Sequence, residues 1–261
     1  MFTDLAVLGQ WDSSYLGAAG VATVYTSITS VIVWRGVLEA LNMLCAQAFG
    51  AKNPRLAGEW LRIGLIVGSG LSVLIGMTWA VAGTALQPLA KFDDVERDRV
   101  NHFSLMLTVG LIPFTAYVAI TNYMSAAGIV MAPLWINVAG AFVNLFFNLM
   151  LVGGPLGMGF NGSALATSLT RCLVVVAVVA WILVNVKNKP WGALAQSWPT
   201  QWCVAPKAPL SEFARQATPI ALSSLLEEAQ IQVVRLCFLR LVLTASRAPV
   251  VCVAGACSHL R

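Results

Sequence analysis

The chain is 261 residues long; 58% of its residues are hydrophobic and only 10% are charged. Soluble domains carry roughly 25% charged residues, so this chain has too little charge to cover a water-soluble surface, and we expect an integral membrane protein. Its net charge of +5 is typical of a membrane protein whose Lys and Arg lie in cytoplasmic loops. Because no basic cluster is interleaved with aromatic residues, we expect no nucleic-acid partner.

Five apolar stretches are long enough to cross a bilayer core of about 30 Å, which takes roughly 20 residues. In chain order they are about Leu16 to Phe49, Trp60 to Leu86, Phe103 to Met124, Ala132 to Val152 and Ser163 to Val186. A sixth, about Thr218 to Leu243, is weaker because polar residues interrupt it. The sequence therefore predicts an all-α polytopic transmembrane helix bundle with about six spans.

Three local features concern the shape of the predicted bundle. Gly64 and Gly68 form a GxxxG pair, which allows close helix packing and suggests no chemistry. Pro113 lies in the middle of the third span and predicts a kink there. The charge-rich stretch from Gln87 to His102 is predicted to be a loop.

The charges of the loops orient the bundle, because alternate loops lie on the same side of the membrane. One side receives Lys52, Arg55 and the basic residues of the long 187–216 connection, whereas the 87–102 loop dilutes its basic residues with four acids. The positive-inside bias makes the first side cytoplasmic. The segment before the first span would then lie outside, so we expect a further helix upstream.

A few ionisable residues lie inside the spans, where lipid cannot solvate a charge. Arg35 and Glu39 are four residues apart and are expected to pair, either as a neutralised pair at the interface or as part of a site; Arg171 lies in the fifth span. Glu227 follows Pro219 by eight residues. A desolvated carboxylate there could exchange a proton for a cationic substrate; the alternative is that this segment does not span and the acid is solvated.

Amide side chains recur along one helix face. Asn137, Asn144 and Asn148 are spaced by seven and four residues in the fourth span. Three amides cannot face lipid without leaving hydrogen-bonding groups unsatisfied. They either pack against other helices or line a wet cavity, and both remain open. Gln47 extends the polar surface of the first span.

The chain offers no catalytic constellation. Its two histidines, His102 and His259, lie in the charged loop and near the terminus, and it has no GxSxG, P-loop or HExxH motif. We therefore expect no enzyme, and we assign no metal site and no cofactor.

Several motifs point to one family. The stretch from Leu44 to Lys52 reads LCAQAFGAK and differs at one position from the LCGQAFGAK of eukaryotic multidrug and toxic compound extrusion (MATE) proteins, which it resembles. Gly157 to Thr167 is similar to the family's G-L-G-x-x-G-A-A-x-A stretch. Pro219 to Glu227 resembles its seventh helix, where a proline precedes a glutamate by the same interval.

The resemblance implies twelve helices in two six-helix lobes. Residues 1–186 would be the N-terminal lobe, 187–216 a cytoplasmic inter-lobe linker, 217–244 the start of the second lobe and 245–261 a divergent tail. It also implies a secondary active antiporter in the plasma or vacuolar membrane. Such a protein exports organic cations, drugs or metabolites in exchange for H⁺ or Na⁺.

The resemblance also suggests roles for particular residues. Glu227 matches the seventh-helix coupling glutamate, and Asp4 matches an acidic position in the first helix of some members. With Asn144 and Gln47 they form the predicted cation-coupling and substrate residues. Two alternatives stay open: a related lipid-linked sugar flippase, which a basic stripe inside the spans would favour, and a non-transporting truncated membrane fragment, which the missing helices would favour.

Overall fold

The computed structural model describes residues 22–30, 32–90, 94–153, 158–185 and 210–247. Within these ranges the chain forms helices joined by turns and short coil, and it has no strand. The predicted all-α class is therefore confirmed.

Eight helices follow one another in the described ranges. They are α1 (Ala22–Gly50), α2 (Pro54–Ala80), α3 (Ala82–Ala90), α4 (Asp94–Val109), α5 (Leu111–Ala126), α6 (Met131–Gly153), α7 (Gly159–Asn185) and α8 (Leu210–Arg247). Two of them contain π-helical segments: Ile32–Val37 inside α1 and Leu149–Gly153 at the end of α6.

The membrane-length helices agree with the predicted spans. α1, α2, α6 and α7 are each long and apolar enough to cross a bilayer, and the bent pair of α4 and α5 passes the same test when the two are taken together. The 27 residues of α7 extend about 40 Å at 1.5 Å per residue, more than a bilayer core. α8 contains the predicted sixth span, but it is not among the helices apolar enough to meet the same requirement.

The boundaries of the second predicted span need correction. α2 starts at Pro54, because the Asn53 side chain accepts a hydrogen bond from the Leu56 amide at 3.3 Å and proline suits the first helical position. It ends at Ala80, before the expected Leu86. The chain then continues as the separate α3.

The predicted 87–102 loop is largely helical, since α4 begins at Asp94. Arg97 lies 2.9 Å from the Asp94 carboxylate and 3.1 Å from the Asp98 carboxylate. These pairs form within the first helical turns, so the charge-rich composition did not require a loop. The Asn101 side chain accepts a hydrogen bond from the Gly83 amide at 2.7 Å and so joins α4 to α3.

The third span breaks at Gly110 rather than at the predicted Pro113, and α4 and α5 meet there at 44°. A proline ring clashes with the carbonyl four residues earlier, which here belongs to Val109, the last residue of α4. Pro113 consequently lies in the first turn of α5, where its missing N–H removes no helical bond. The kink was predicted, and its position is three residues earlier.

The core forms where α1, α2, α5 and α7 pack together. Gly64 and Gly68 of α2 admit Leu41 and Thr115, since an added Cβ would lie 2.8 Å from Leu41 Cδ2 and 3.0 Å from Thr115 Cγ2. The GxxxG pair therefore serves close packing, as predicted. A buried hydrogen bond of 2.8 Å between the Ser72 and Thr115 hydroxyls joins α2 to α5.

α8 packs against the π-helical segment of α1. A Cβ added at Gly36 would lie 2.5 Å from Ala221 Cβ and 2.7 Å from Ala221 Cα, so the two backbones approach as closely as glycine allows. Two residues further along α1, the Leu38 carbonyl accepts a hydrogen bond from the Asn122 side chain of α5 at 2.7 Å. π-Helical turns occur frequently at functional sites, and this one brings together α1, α5 and α8.

Candidate functional site

A polar cavity of about 470 Å³ lies between α1, α5, α6 and α7. Aromatic rings, amides, hydroxyls and one guanidinium share its wall. The lining residues are Trp34, Phe114, Tyr117, Asn137, Gly140, Ala141, Asn144, Thr167, Thr170, Arg171 and Val174. A cavity of this size, with a few polar groups among aromatic walls, has the properties of a small-molecule site.

Arg171 is the charged member of the described lining. Its side chain is buried, with 7% exposed, and its guanidinium carbon lies 5.5 Å from the centre of the Trp34 ring and 4.9 Å from that of Phe114. Attraction between a cation and the ring faces holds the guanidinium in place. The side chain has room because a Cβ added at Gly110 would lie only 2.9 Å from Arg171 Cδ.

The spacing of the three asparagines of α6 left helix packing and cavity lining open, and the structure shows both roles. Asn137 and Asn144 line the cavity. Asn148 is buried and accepts a hydrogen bond from the Ser163 hydroxyl of α7 at 2.9 Å. Asn144 does both, because its amide also donates to the Thr167 hydroxyl at 3.3 Å. Helix packing and cavity lining are thus combined on one face.

A second polar cluster lies where α8 meets α1. Arg35 Nη2 is 3.4 Å from Glu227 Oε2, and Arg35 Nε is 3.4 Å from Glu39 Oε1. The three side chains are 39%, 55% and 47% exposed for Arg35, Glu227 and Glu39, respectively. Two carboxylates therefore share one guanidinium, and the described cluster has a formal charge of −1.

The structure separates the predicted site residues. Glu227 lies in the cluster with Arg35, and Asn144 lies in the cavity. Gln47 is exposed near the end of α1, where its backbone carbonyl accepts a hydrogen bond from the Ala51 amide at 2.9 Å. Asp4 lies outside the described residues.

Sequence reasoning did not select the aromatic wall of the cavity. Trp34, Phe114 and Tyr117 come from two helices, and an aromatic residue in an apolar span gives no signal that separates a cavity wall from a lipid-facing surface. Arg171 did give a signal, as an ionisable residue within a span. The pairing of Arg35 with Glu39 was expected from their spacing, whereas the pairing with Glu227 joins residues 192 positions apart.

The MatE family model matches residues 1–150, more than half of the chain. The chain belongs to the MATE family. The probable multidrug resistance protein NorM of Bradyrhizobium diazoefficiens is 30% identical to this MATE chain over 235 residues, which cover 86% of the chain and 47% of NorM. Protein DETOXIFICATION 51 of Arabidopsis thaliana is 29% identical, over 79% of the chain and 38% of that protein.

Solved MATE structures share the fold of this chain. The crystal structure of the eukaryotic MATE transporter AtDTX14 superposes with a TM-score of 0.79 at 19% identity, covering 89% of this chain and 50% of that one. A MOP superfamily transporter from Pyrococcus furiosus, whose structure was described as having a binding pocket of reverse polarity, gives a TM-score of 0.71 at 18% identity, over 89% of this chain and 49% of that one. The chain spans between about two fifths and one half of the length of these relatives.

Membership of the MATE family settles the broad class of the protein. MATE proteins are membrane-embedded transporters and not enzymes. The predicted family and the integral membrane location are therefore confirmed.

Proposed function

We propose that this protein works as a secondary active antiporter, exporting small organic compounds in exchange for H⁺ or Na⁺. The compounds would be organic cations, drugs or metabolites, in keeping with the names of the multidrug resistance and detoxification relatives. The observation that carries the proposal is the ion pair between Glu227 on α8 and Arg35 on α1. It joins two helices through a carboxylate that an incoming cation can compete for.

Glu227 can be neutralised by the Arg35 guanidinium, by a proton, by Na⁺ or by a cationic substrate. When a proton or another cation takes the carboxylate, Arg35 keeps its second partner, Glu39, on its own helix. The contact between α1 and α8 then loses its electrostatic attraction without leaving a buried charge. Alternating access requires a helix contact of this kind, which changes when a proton or another cation occupies the Glu227 carboxylate.

The remaining assignments belong to the same proposal. Residues 1–186 form the N-terminal lobe, 187–216 the cytoplasmic linker and 217–244 the start of a second lobe, followed by the divergent tail 245–261. Asp4, Asn144 and Gln47 are proposed as further cation-coupling or substrate residues. Asn144 has the strongest support, because it lines the cavity.

Charge placement favours an antiporter over a lipid-linked sugar flippase. A flippase handling a pyrophosphate would need several basic groups along its path. Within the described spans, Arg35 is neutralised by two carboxylates and the cavity is lined by the one guanidinium of Arg171. Arg62 is also buried in α2, but it does not belong to the cavity lining.

The test is efflux of two fluorescent compounds, the organic cation ethidium and the aromatic zwitterion norfloxacin, from proteoliposomes under an imposed H⁺ or Na⁺ gradient. The complete reading frame is first established by sequencing both ends of the transcript. We expect gradient-driven efflux that Glu227→Gln abolishes and Glu227→Asp partly retains. The matched control is Asp98→Asn, which changes a carboxylate at the exposed surface of α4.

Three outcomes separate the hypotheses. Efflux that depends on the gradient and on Glu227 supports the antiporter. Efflux that Glu227→Gln leaves unchanged refutes the coupling role of Glu227. Absence of efflux from the folded full-length protein, with either gradient and either compound, favours the non-transporting alternative.

A further inference from the structure

We infer that the cavity between α1, α5, α6 and α7 binds an aromatic molecule that carries a carboxylate, either an anion or a zwitterion. The inference deepens the proposed function by naming the chemical class of the compound held in this lobe. It rests on the charge, shape and rigidity of the cavity wall.

The charge of the wall favours an anionic group. Among the lining residues that the structure describes, Arg171 is the charged one, and the others are amides, hydroxyls, aromatic rings and aliphatic groups. The planar guanidinium matches a carboxylate through two parallel hydrogen bonds, in a geometry that ammonium groups do not offer. A simple organic cation in the same space would face a like charge.

The shape of the wall favours a flat, aromatic body. The rings of Trp34 and Phe114 meet edge to face, with centres 4.8 Å apart, and Phe114 stacks with Tyr117 at 6.1 Å. These three rings touch one another beside the guanidinium, with Phe114 and Tyr117 nearly parallel and Trp34 steeply inclined to Phe114. The amides of Asn137 and Asn144 and the hydroxyl of Thr170 line the cavity as well, and they can bond to polar substituents on the ring.

The guanidinium is held in position before any ligand arrives. Two aromatic rings flank it within 5.5 Å, and Gly110 leaves space for its aliphatic stem at the break between α4 and α5. A group already fixed in its binding conformation loses little entropy when it binds. The break in the third span therefore contributes to the site, because it places the glycine opposite Arg171.

The acidic cluster and the basic cavity would then have separate roles. The acids near α8, Glu39 and Glu227, attract the coupling cation, and the base within the lobe receives the organic carboxylate. The two sites are connected, because Trp34 of the cavity wall and Arg35 of the ion cluster are consecutive residues of the π-helical segment.

The experiment compares three naphthalene probes that differ in one substituent: 1-naphthoate, neutral 1-naphthamide and cationic 1-naphthylmethylammonium. Binding to the purified full-length protein in nanodiscs is measured by equilibrium dialysis at pH 7. We expect naphthoate to bind tightest of the three. Because a hydrogen bond to a charged group contributes roughly 1.5–3 kcal/mol, Arg171→Gln should weaken naphthoate roughly tenfold to hundredfold and naphthamide less than threefold.

Two further variants make the result specific to the charge. Arg171→Lys keeps the charge without the planar fork and should restore part of the affinity for naphthoate. Arg215→Gln, which removes an exposed arginine at the start of α8, should leave all three affinities unchanged. Retained naphthamide binding shows that the Arg171→Gln cavity is still folded.

The outcomes distinguish this inference from the proposed function. Equal or tighter binding of the ammonium probe, or naphthoate affinity that is insensitive to Arg171→Gln, overturns the inference even if gradient-driven efflux persists. Naphthoate binding that depends on Arg171, in a protein without efflux, upholds the inference and counts against the antiporter.

Discussion

Replacing Gly36 by alanine should separate α8 from α1 and break the ion pair beside it. The added Cβ would lie 2.5 Å from Ala221 Cβ and 2.7 Å from Ala221 Cα, whereas carbon atoms in contact stay about 3.5–4.0 Å apart. Backbone cannot rotate away as a side chain can, so α8 must move by roughly 1 Å. That shift takes the Arg35–Glu227 distance from 3.4 Å beyond the range of an ion pair.

The magnitude follows from three contributions. Overpacking costs roughly 1–3 kcal/mol, and a partly exposed ion pair contributes about 0–1 kcal/mol. The better helix propensity of alanine offsets up to about 1 kcal/mol. The net loss in the free energy of unfolding for Gly36→Ala is therefore about 1.5 kcal/mol, and steric overlap rather than the ion pair decides its sign.

The assay is thermal unfolding of the detergent-solubilised protein, followed by fluorescence-detected size exclusion after heating. For Gly36→Ala we expect a fall in the midpoint of roughly 3–6 °C. The matched control is Gly70→Ala on α2, where an added Cβ meets nothing within 4 Å; it should keep or raise the midpoint. Adding Ala221→Gly to Gly36→Ala removes the nearer clash and should recover part of the loss. A Gly36→Ala midpoint equal to that of Gly70→Ala would refute the close approach of α1 and α8.

Three other substitutions test the cavity and its supports. Gly110→Ala should lower 1-naphthoate affinity several-fold, because the new Cβ would lie 2.9 Å from both Arg171 Cδ and the Ser168 Cα of α7; unchanged affinity would contradict the close approach of α7 to Gly110. Asn148→Ala should lower the free energy of unfolding by roughly 1–3 kcal/mol, since the buried Ser163 hydroxyl loses its 2.9 Å acceptor. Thr115→Val should cost about 1–2 kcal/mol in the same thermal assay, because its hydroxyl bonds to a serine of α2 and to the indole of α1.

The control for the two polar substitutions is Thr121→Val. Its hydroxyl donates to the Val118 carbonyl within its own helix at 3.0 Å, so its loss breaks a hydrogen bond within one helix rather than between two. A midpoint as low as that of Thr115→Val would show that the bonds between helices add nothing beyond the loss of a hydroxyl.

The spans were predictable from the sequence because the bilayer imposes a one-dimensional rule. Crossing it requires about 20 apolar residues in succession, and α1, α2, α6 and α7 obey that rule. The ends of the helices were harder to predict, because they depend on local capping and ion pairs that composition does not reveal. The start of α4 looked like a loop because it is rich in charged residues. It is helical, and Arg97 pairs there with Asp94 and Asp98 along the helix surface.

The site was predictable only where its residues break the apolar pattern of a span. Asn144 and Arg171 do so, and both line the cavity. Trp34 and Phe114 do not, because an aromatic ring is equally at home against lipid and in a binding wall. One of the two partners of Arg35 was predictable, because Glu39 follows from the helical period. The other, Glu227, depends on how α8 packs against α1, which no local spacing encodes.

The π-helical segment connects the two polar regions through consecutive residues. In an α-helix each successive side chain is rotated by about 100°, and a π-helical turn changes that phase for the residues around it. Here Trp34 faces the cavity beside Arg171, and the next residue, Arg35, faces Glu227. Any rotation of this segment moves both side chains together. If this protein is the proposed antiporter, we expect ligand binding beside Trp34 and protonation of Glu227 to influence each other reciprocally through this shared backbone.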